Sequence, residues 1–248
     1  AVPGNSSVFI PLTMVLSVSE ALAVKADVGG ALSLNISGAT APRSVAVLSR
    51  TEIRPHNYTV NHTIPVDGVD YDSTTQWPDW AFDDSSYRAL VTGNFEGTTD
   101  EIFRWAATKW DINVDLIRAV AVQESAWDAR TNGDGGLSFG LMQVKPSALG
   151  DVGTNAATVS SAWNVDYWCA WFKTVYDGKG KLWRDRPDLT NRVYTAGDLW
   201  GSVESWFTGI GPSDATAWYS ANIRHYIEQR PWETDPDFIN QVGNWAWV

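Results

Sequence analysis

Glu124 is the one carboxylate in Ile117-Arg118-Ala119-Val120-Ala121-Val122-Gln123-Glu124-Ser125. Ala121, Val120 and Ile117 precede it by three, four and seven positions, so in a helix they share its face. A helix apolar nearly all round is a buried one. A carboxyl carried into such a setting loses hydration, which disfavours its ionised form and raises its pKa. A carboxylic acid still protonated near neutral pH can donate to a leaving oxygen. The plainer alternative is a structural Glu near a helix C-terminus.

A glycine-dense loop follows, Thr131-Asn132-Gly133-Asp134-Gly135-Gly136-Leu137-Ser138-Phe139-Gly140-Leu141-Met142-Gln143-Val144-Lys145-Pro146. It offers two more chemical groups. Asp134, before two glycines, has the form of an ordinary turn, and a family resemblance offers it the role of a second carboxylate. Hydrolysis with inversion needs such a carboxylate, set far enough from the acid to hold a water between them. Gly136-Leu137-Ser138-Phe139-Gly140 fits the Gly-x-Ser-x-Gly elbow of serine hydrolases, which requires a strand before it and a helix after it. A polar glycine turn precedes it, Lys145-Pro146 soon follows, and the only later histidine, His225, lies inside a helical stretch close to its apolar register. Ser138 is therefore read as scaffold.

The elements that must position these groups are mainly α. Thr98-Thr99-Asp100-Glu101 is a capping box opening a helix with Ile102, Trp105 and Ala106 on one face. A second helix spans about 113–127 and carries Glu124. A third spans about 164–176, with Trp168, Trp171, Phe172 and Val175 inward and Gly178 as its stop. A polar, Pro-containing insertion leads to Asp198, which can cap a helix closed by Gly209. The last helix spans about 213–230, with Tyr219, Ile223, Tyr226 and Ile227 in register and Pro231 at its end. Residues 98–230 thus read as one helical domain. Residues 1–97 read as an extended, partly β arm and linker, with short strands expected in 31–36 and 44–48 and loops over 54–97. Residues 231–248 read as a C-terminal tail.

Composition narrows the function classes. The 248 residues carry a net charge of −11, which disfavours phosphate binding and hence a nucleic-acid partner. No apolar run is long enough to insert in a membrane. Cys169 is the only cysteine, reads as a buried inert thiol, and excludes an intrachain disulfide. His56, His62 and His225 lack metal-ligand spacing, so neither a metal nor a cofactor is expected. Fifteen tryptophans serve mostly as core, with a surplus of flat rings suited to sugar faces. The start Ala1-Val2-Pro3 is that of a processed chain, and Ala21-Leu22-Ala23 resembles a signal-cleavage triplet. Asn5, Asn35, Asn57 and Asn61 open N-x-Ser/Thr sequons, which would carry surface glycans in a eukaryotic secretory host and mean nothing in a bacterium.

The pairing of Glu124-Ser125 with Gly140-Leu141-Met142-Gln143 resembles the lysozyme-like lytic transglycosylases and the goose-type lysozymes that share their fold. The resemblance covers residues 98–230, and the arm looks most like that of secreted actinobacterial members. It implies a lysozyme-like helical domain and a secreted enzyme acting on the β-1,4 bond between N-acetylmuramic acid and N-acetylglucosamine in peptidoglycan. Glu124 would be the general acid, Ser125 would orient its carboxyl, and Gly140, Met142 and Gln143 would line the cleft. Asn164 fits the family's Asn-led helix. Ser205-Trp206-Phe207-Thr208-Gly209 fits best, by order, the place of a family segment that contacts sugar, although it lacks that segment's Asn. Trp127 and Phe139 are sugar-stacking positions by their place beside the helix end and in the loop, with core packing as the alternative for each. Asp134 stands where goose-type enzymes hold a water, whereas Lys145 stands where they have a second candidate Asp. Three functions follow in order: a transglycosylase leaving 1,6-anhydro ends, an inverting hydrolase of peptidoglycan or chitin using Glu124 and Asp134, and a non-catalytic glycan-binding protein.

Overall fold

A computed structural model of the chain describes residues 23–26, 32–35, 51–65, 87–145, 156–185, 188, 190–209 and 211–240. The chain divides into two compact units, Ala1–Leu48 and Ser49–Val248. In the first, strands β1 (Ala23–Ala26) and β2 (Leu32–Asn35) pair antiparallel, with Ala23 opposite Asn35 and Ala26 opposite Leu32. β2 falls in the expected 31–36 strand, and its partner includes the last residue of the supposed cleavage triplet. The strand expected in 44–48 and the sequon at Asn5 lie outside the described residues.

The second unit is helical: α1 (Tyr58–Asn61), α2 (Thr99–Trp110), α3 (Val114–Ser125), α4 (Ser161–Thr174), α5 (Lys181–Asp185), α6 (Leu199–Thr208), α7 (Ala217–Gln229), α8 (Pro231–Thr234) and α9 (Pro236–Asn240). The caps of α2 and α6 are those read from the sequence, and Asn113 caps α3 at its expected start. Thr98 and Glu101 close a reciprocal capping box on α2, Asn113 accepts from Asp115 N–H at the start of α3, and Asp198 accepts from Gly201 N–H at the start of α6. Helix α4 begins a turn earlier than expected because Ser160, rather than Asn164, supplies its cap. Gly178, at φ 91°, breaks the π-helical turn Val175–Lys179 that follows. Ile102, Phe103 and Ala106 of α2, Ile117, Val120 and Ala121 of α3, and Val165, Trp168 and Cys169 of α4 are all fully buried in one core. Each large side chain so buried contributes about 1.5–3 kcal/mol.

Three stretches depart from the sequence reading. The segment from Ser49, expected to be linker, belongs to the helical unit, so the unit boundary lies at 48/49 rather than 97/98. Polar bonds explain why. Glu52 Oε2 accepts from Thr99 N–H at 2.6 Å, where it meets the N-terminal end of α2, and from Asn61 Nδ2 at 2.9 Å. Asn57 Nδ2 donates to Trp127 O at 2.7 Å, and Arg54 Nε donates to Ala126 O at 3.0 Å. This strap therefore satisfies carbonyls that the end of α3 leaves orphaned. The sequons at Asn57 and Asn61 are buried and hydrogen-bonded, so in the folded chain neither can carry a surface glycan.

Residues 231–240 are no tail either. Pro231 starts α8 instead of merely ending α7, and Trp232 and Phe238 are buried against Trp127, with ring centroids 5.9 and 5.6 Å away. Within the polar insertion, α5 buries Trp183, whose Nε1 donates to Arg192 O at 3.1 Å.

Candidate active site

Helix α3 ends one residue past Glu124, and α7 packs along it. Glu124 retains only 8 % of its surface exposed, and Tyr219 O–H, on α7, donates to its Oε1. Burial raises the Glu124 pKa from an ordinary 4.5 to about 8, opposed by the Tyr219 bond, which favours the carboxylate. The charge of Asp134 raises it further and that of Lys145 lowers it. Tyr219 itself is buried, and its phenol is pushed well above 10, so it stays a donor. The acid is thus protonated at neutral pH, and a donor stands ready to hold the carboxylate it becomes.

The glycine loop is built to meet that helix end. Ala126 and Trp127, at φ 50° and 65°, turn the chain out of α3. Strands β3 (Asn132–Gly133) and β4 (Ser138–Phe139) then pair antiparallel, and Phe139 bridges to Val144. Gly140, between these, has φ 78°, and a Cβ there would lie 2.5 Å from Asn164 Nδ2. Asn164 pins the loop from α4: its Oδ1 accepts from Met142 N–H at 2.8 Å, and its Nδ2 donates to Phe139 O at 2.8 Å and Ala157 O at 3.0 Å. Gln143 Nε2 donates across the loop to Thr131 O at 3.0 Å and Gly140 O at 2.9 Å.

Several expected roles move. Ser125 does not hold the Glu124 carboxyl; its hydroxyl bonds Ala121 O and Leu141 O, tying the helix end to the loop. Met142 is wholly buried, so its side chain is core, and its carbonyl accepts from Trp206 Nε1 at 3.0 Å. Gln143 is nearly buried and its Nε2 is spent on the loop backbone, whereas its Oε1 accepts no hydrogen bond. Trp127 is core, with Nε1 donating to Arg118 O at 2.9 Å. Phe139 stays half-buried. Ser138 stands in a two-strand hairpin and donates to Asp134 Oδ2 at 2.7 Å, while His225 is exposed rather than in the apolar face, so no elbow forms. Asp134, at φ 51°, also meets Lys145 Nζ at 2.7 Å, and these two bonds hold its carboxyl below the usual range.

Beside the acid lies an aromatic ledge. Half-exposed Phe207, at the end of α6, stacks on Tyr219 at 5.2 Å and meets half-exposed Trp218 edge-on at 5.0 Å. Trp206 sits behind it, edge-on to Trp171 at 5.6 Å. Sequence reasoning missed Trp218, and it took Tyr219 only for core. Adjacent aromatics did not by themselves mark Trp218, since Tyr167-Trp168 and Trp171-Phe172 are both buried on α4. Nothing in the sequence marks a pairing between Tyr219 and a residue so distant in the chain. Among the described residues no three His, Cys, Asp or Glu side chains converge as metal ligands would, and no helix is long and apolar enough to cross a membrane.

Residues 101–164, from α2 through the acid and the loop to the pinning Asn164, match the family model of the transglycosylase SLT domain. The chain carries an SLT domain. The family comprises lytic transglycosylases, enzymes acting on peptidoglycan, and the mainly helical second unit is the lysozyme-like fold expected of it. The matched segment of the SLT domain holds Glu124, Asp134 and Lys145, whereas the ledge and Tyr219 lie beyond it. Comparison with curated proteins finds no significant match.

Proposed function

We propose that this SLT domain cleaves the β-1,4 bond between N-acetylmuramic acid and N-acetylglucosamine, with Glu124 as general acid and then base, leaving 1,6-anhydro ends. The observation that carries the reading is Glu124 buried at the end of α3 with Tyr219 donating to it, on a helix and loop matched to the family. Glu124 gives its proton to the glycosidic oxygen as the C1–O bond breaks, and Tyr219 supports the resulting carboxylate. The C6 hydroxyl of the same muramic sugar then attacks C1 and returns its proton to Glu124. Phe207 and Trp218 offer flat faces for sugar rings next to the acid, with Phe139 on the loop side. The substrate class implies action outside the cytoplasm, as in a secreted protein.

A second reading, inverting hydrolysis through Asp134, is favoured by one observation: its charge is felt at Glu124. Against it, that carboxylate is engaged by Lys145 and Ser138. A protein that only bound glycan would have no use for a carboxyl kept protonated at the cost of burial. Digestion of purified peptidoglycan and of chitin, with product masses, tests the proposal. Fragments lighter by one water than reducing-end products, from peptidoglycan alone, are expected. Intact peptidoglycan after prolonged digestion would refute it.

A further inference from the structure

Two charges of opposite sign act on Glu124, and they are paired with each other. Asp134 and Lys145 face one another across the loop that begins after α3, Nζ to Oδ2 at 2.7 Å, and Ser138 O–H donates to the same oxygen at 2.7 Å. Both paired side chains are more than half exposed, so the pair contributes little to stability. Its position suits another use. Among the described residues Asp134 is a carboxylate whose charge is felt at the acid, and a water held between such a pair would be the nucleophile of an inverting hydrolase. An ammonium on that carboxylate offsets its charge and, with Ser138, engages its Oδ2, so the group is a weaker base towards a water proton.

We infer that Lys145 is a positioning residue that selects the attacking hydroxyl: by holding Asp134 it withholds the second carboxylate from water and leaves the attack to the sugar's own C6 hydroxyl. The inference rests on the proposed cleavage by Glu124. With the pair intact, the C1–O bond breaks, Glu124 protonates the leaving oxygen, and the C6 hydroxyl closes the anhydro ring and returns a proton to Glu124. With Asp134 released, water adds to C1 instead. Its proton passes to the Asp134 carboxylate, Glu124 still supplies the leaving oxygen's proton, and the product is a reducing end one water heavier.

Lys145→Met keeps the aliphatic stem and removes the charge. Purified peptidoglycan is digested with wild type, Lys145→Met and the double variant Lys145→Met/Asp134→Asn, and anhydro and reducing ends are counted by mass. The wild type should yield anhydro ends. Lys145→Met should raise the share of reducing ends on the order of tenfold, a modest return for a freed base, and the double variant should restore the anhydro product. Unchanged anhydro ends from a cleaving Lys145→Met would overturn the inference while leaving the proposed function standing. So would loss of all cleavage by a folded Lys145→Met, since Lys145 would then serve cleavage itself. Reducing ends from the wild type would instead overturn the anhydro reading, and the inference with it.

Discussion

Glu124→Gln is expected to lower kcat on peptidoglycan by about 10³-fold or more with the fold intact. The amide keeps the shape of the acid, and its oxygen can still accept from Tyr219 O–H, so the contact between α3 and α7 survives. What it lacks is a proton to give. Stability sharpens the expectation. The folded chain keeps the Glu124 proton up to about pH 8, whereas the unfolded chain releases it near 4.5. Between those values the native state binds more protons, so stability falls as pH rises through the window and the loss is complete above about 8. Glutamine does not titrate and escapes that loss. Thermal unfolding above pH 8 should therefore give the variant a Tm at or above wild type. A lowered Tm there, or substantial residual turnover, would contradict the assignment.

Gly140→Ala should cost about 3 kcal/mol or more in unfolding free energy and remove most cleavage with it. Two costs add at this position. At φ 78° an L side chain is strained by about 1–2 kcal/mol. The new methyl would also meet Asn164 Nδ2 at 2.5 Å, and that amide cannot swing aside without releasing Phe139 O, Ala157 O and Met142 N–H. Gly135→Ala is the control. Its φ of 67° carries the strain alone, with no neighbour within 4 Å of the added carbon, so it should cost about 1–2 kcal/mol. Urea unfolding of both variants separates the terms. Equal losses would show that Asn164 does not pin the loop.

The helices that carry the site were legible because local signals agree. Thr98, Asn113, Asp198 and Gly209 cap where their chemistry says they should, and the apolar periodicity around Glu124 announced its burial. What the sequence hid is tertiary. Asn57 and Asn61 look like exposed sequons until their partners are in place, Trp127 O for Asn57 and the Thr99 hydroxyl for Asn61. Trp232 and Phe238 follow a proline and resemble a tail until Trp127 offers its ring. Ser125, Met142 and Gln143 stand in the motif as if each served the acid or the cleft, yet the Ser125 hydroxyl and the Gln143 Nε2 tie the loop and the Met142 side chain is core. A motif constrains residue type, and a residue that shapes a loop is constrained as tightly as one that touches sugar. Tyr219 and Trp218 illustrate the converse: both stand at the site from outside the matched segment.

The most direct test of Glu124 as a protonated donor is the pH dependence of kcat/KM on purified peptidoglycan, which reports groups of the free enzyme. With the acid's pKa at about 8, kcat/KM should hold through neutral pH and fall about tenfold per unit above that value. Tyr219→Phe should move the fall to higher pH, because its hydroxyl is the bond that favours the carboxylate. A limb that already falls near the ordinary carboxyl value of 4.5, or one that Tyr219→Phe leaves in place, would contradict a buried Glu124 acting as the acid.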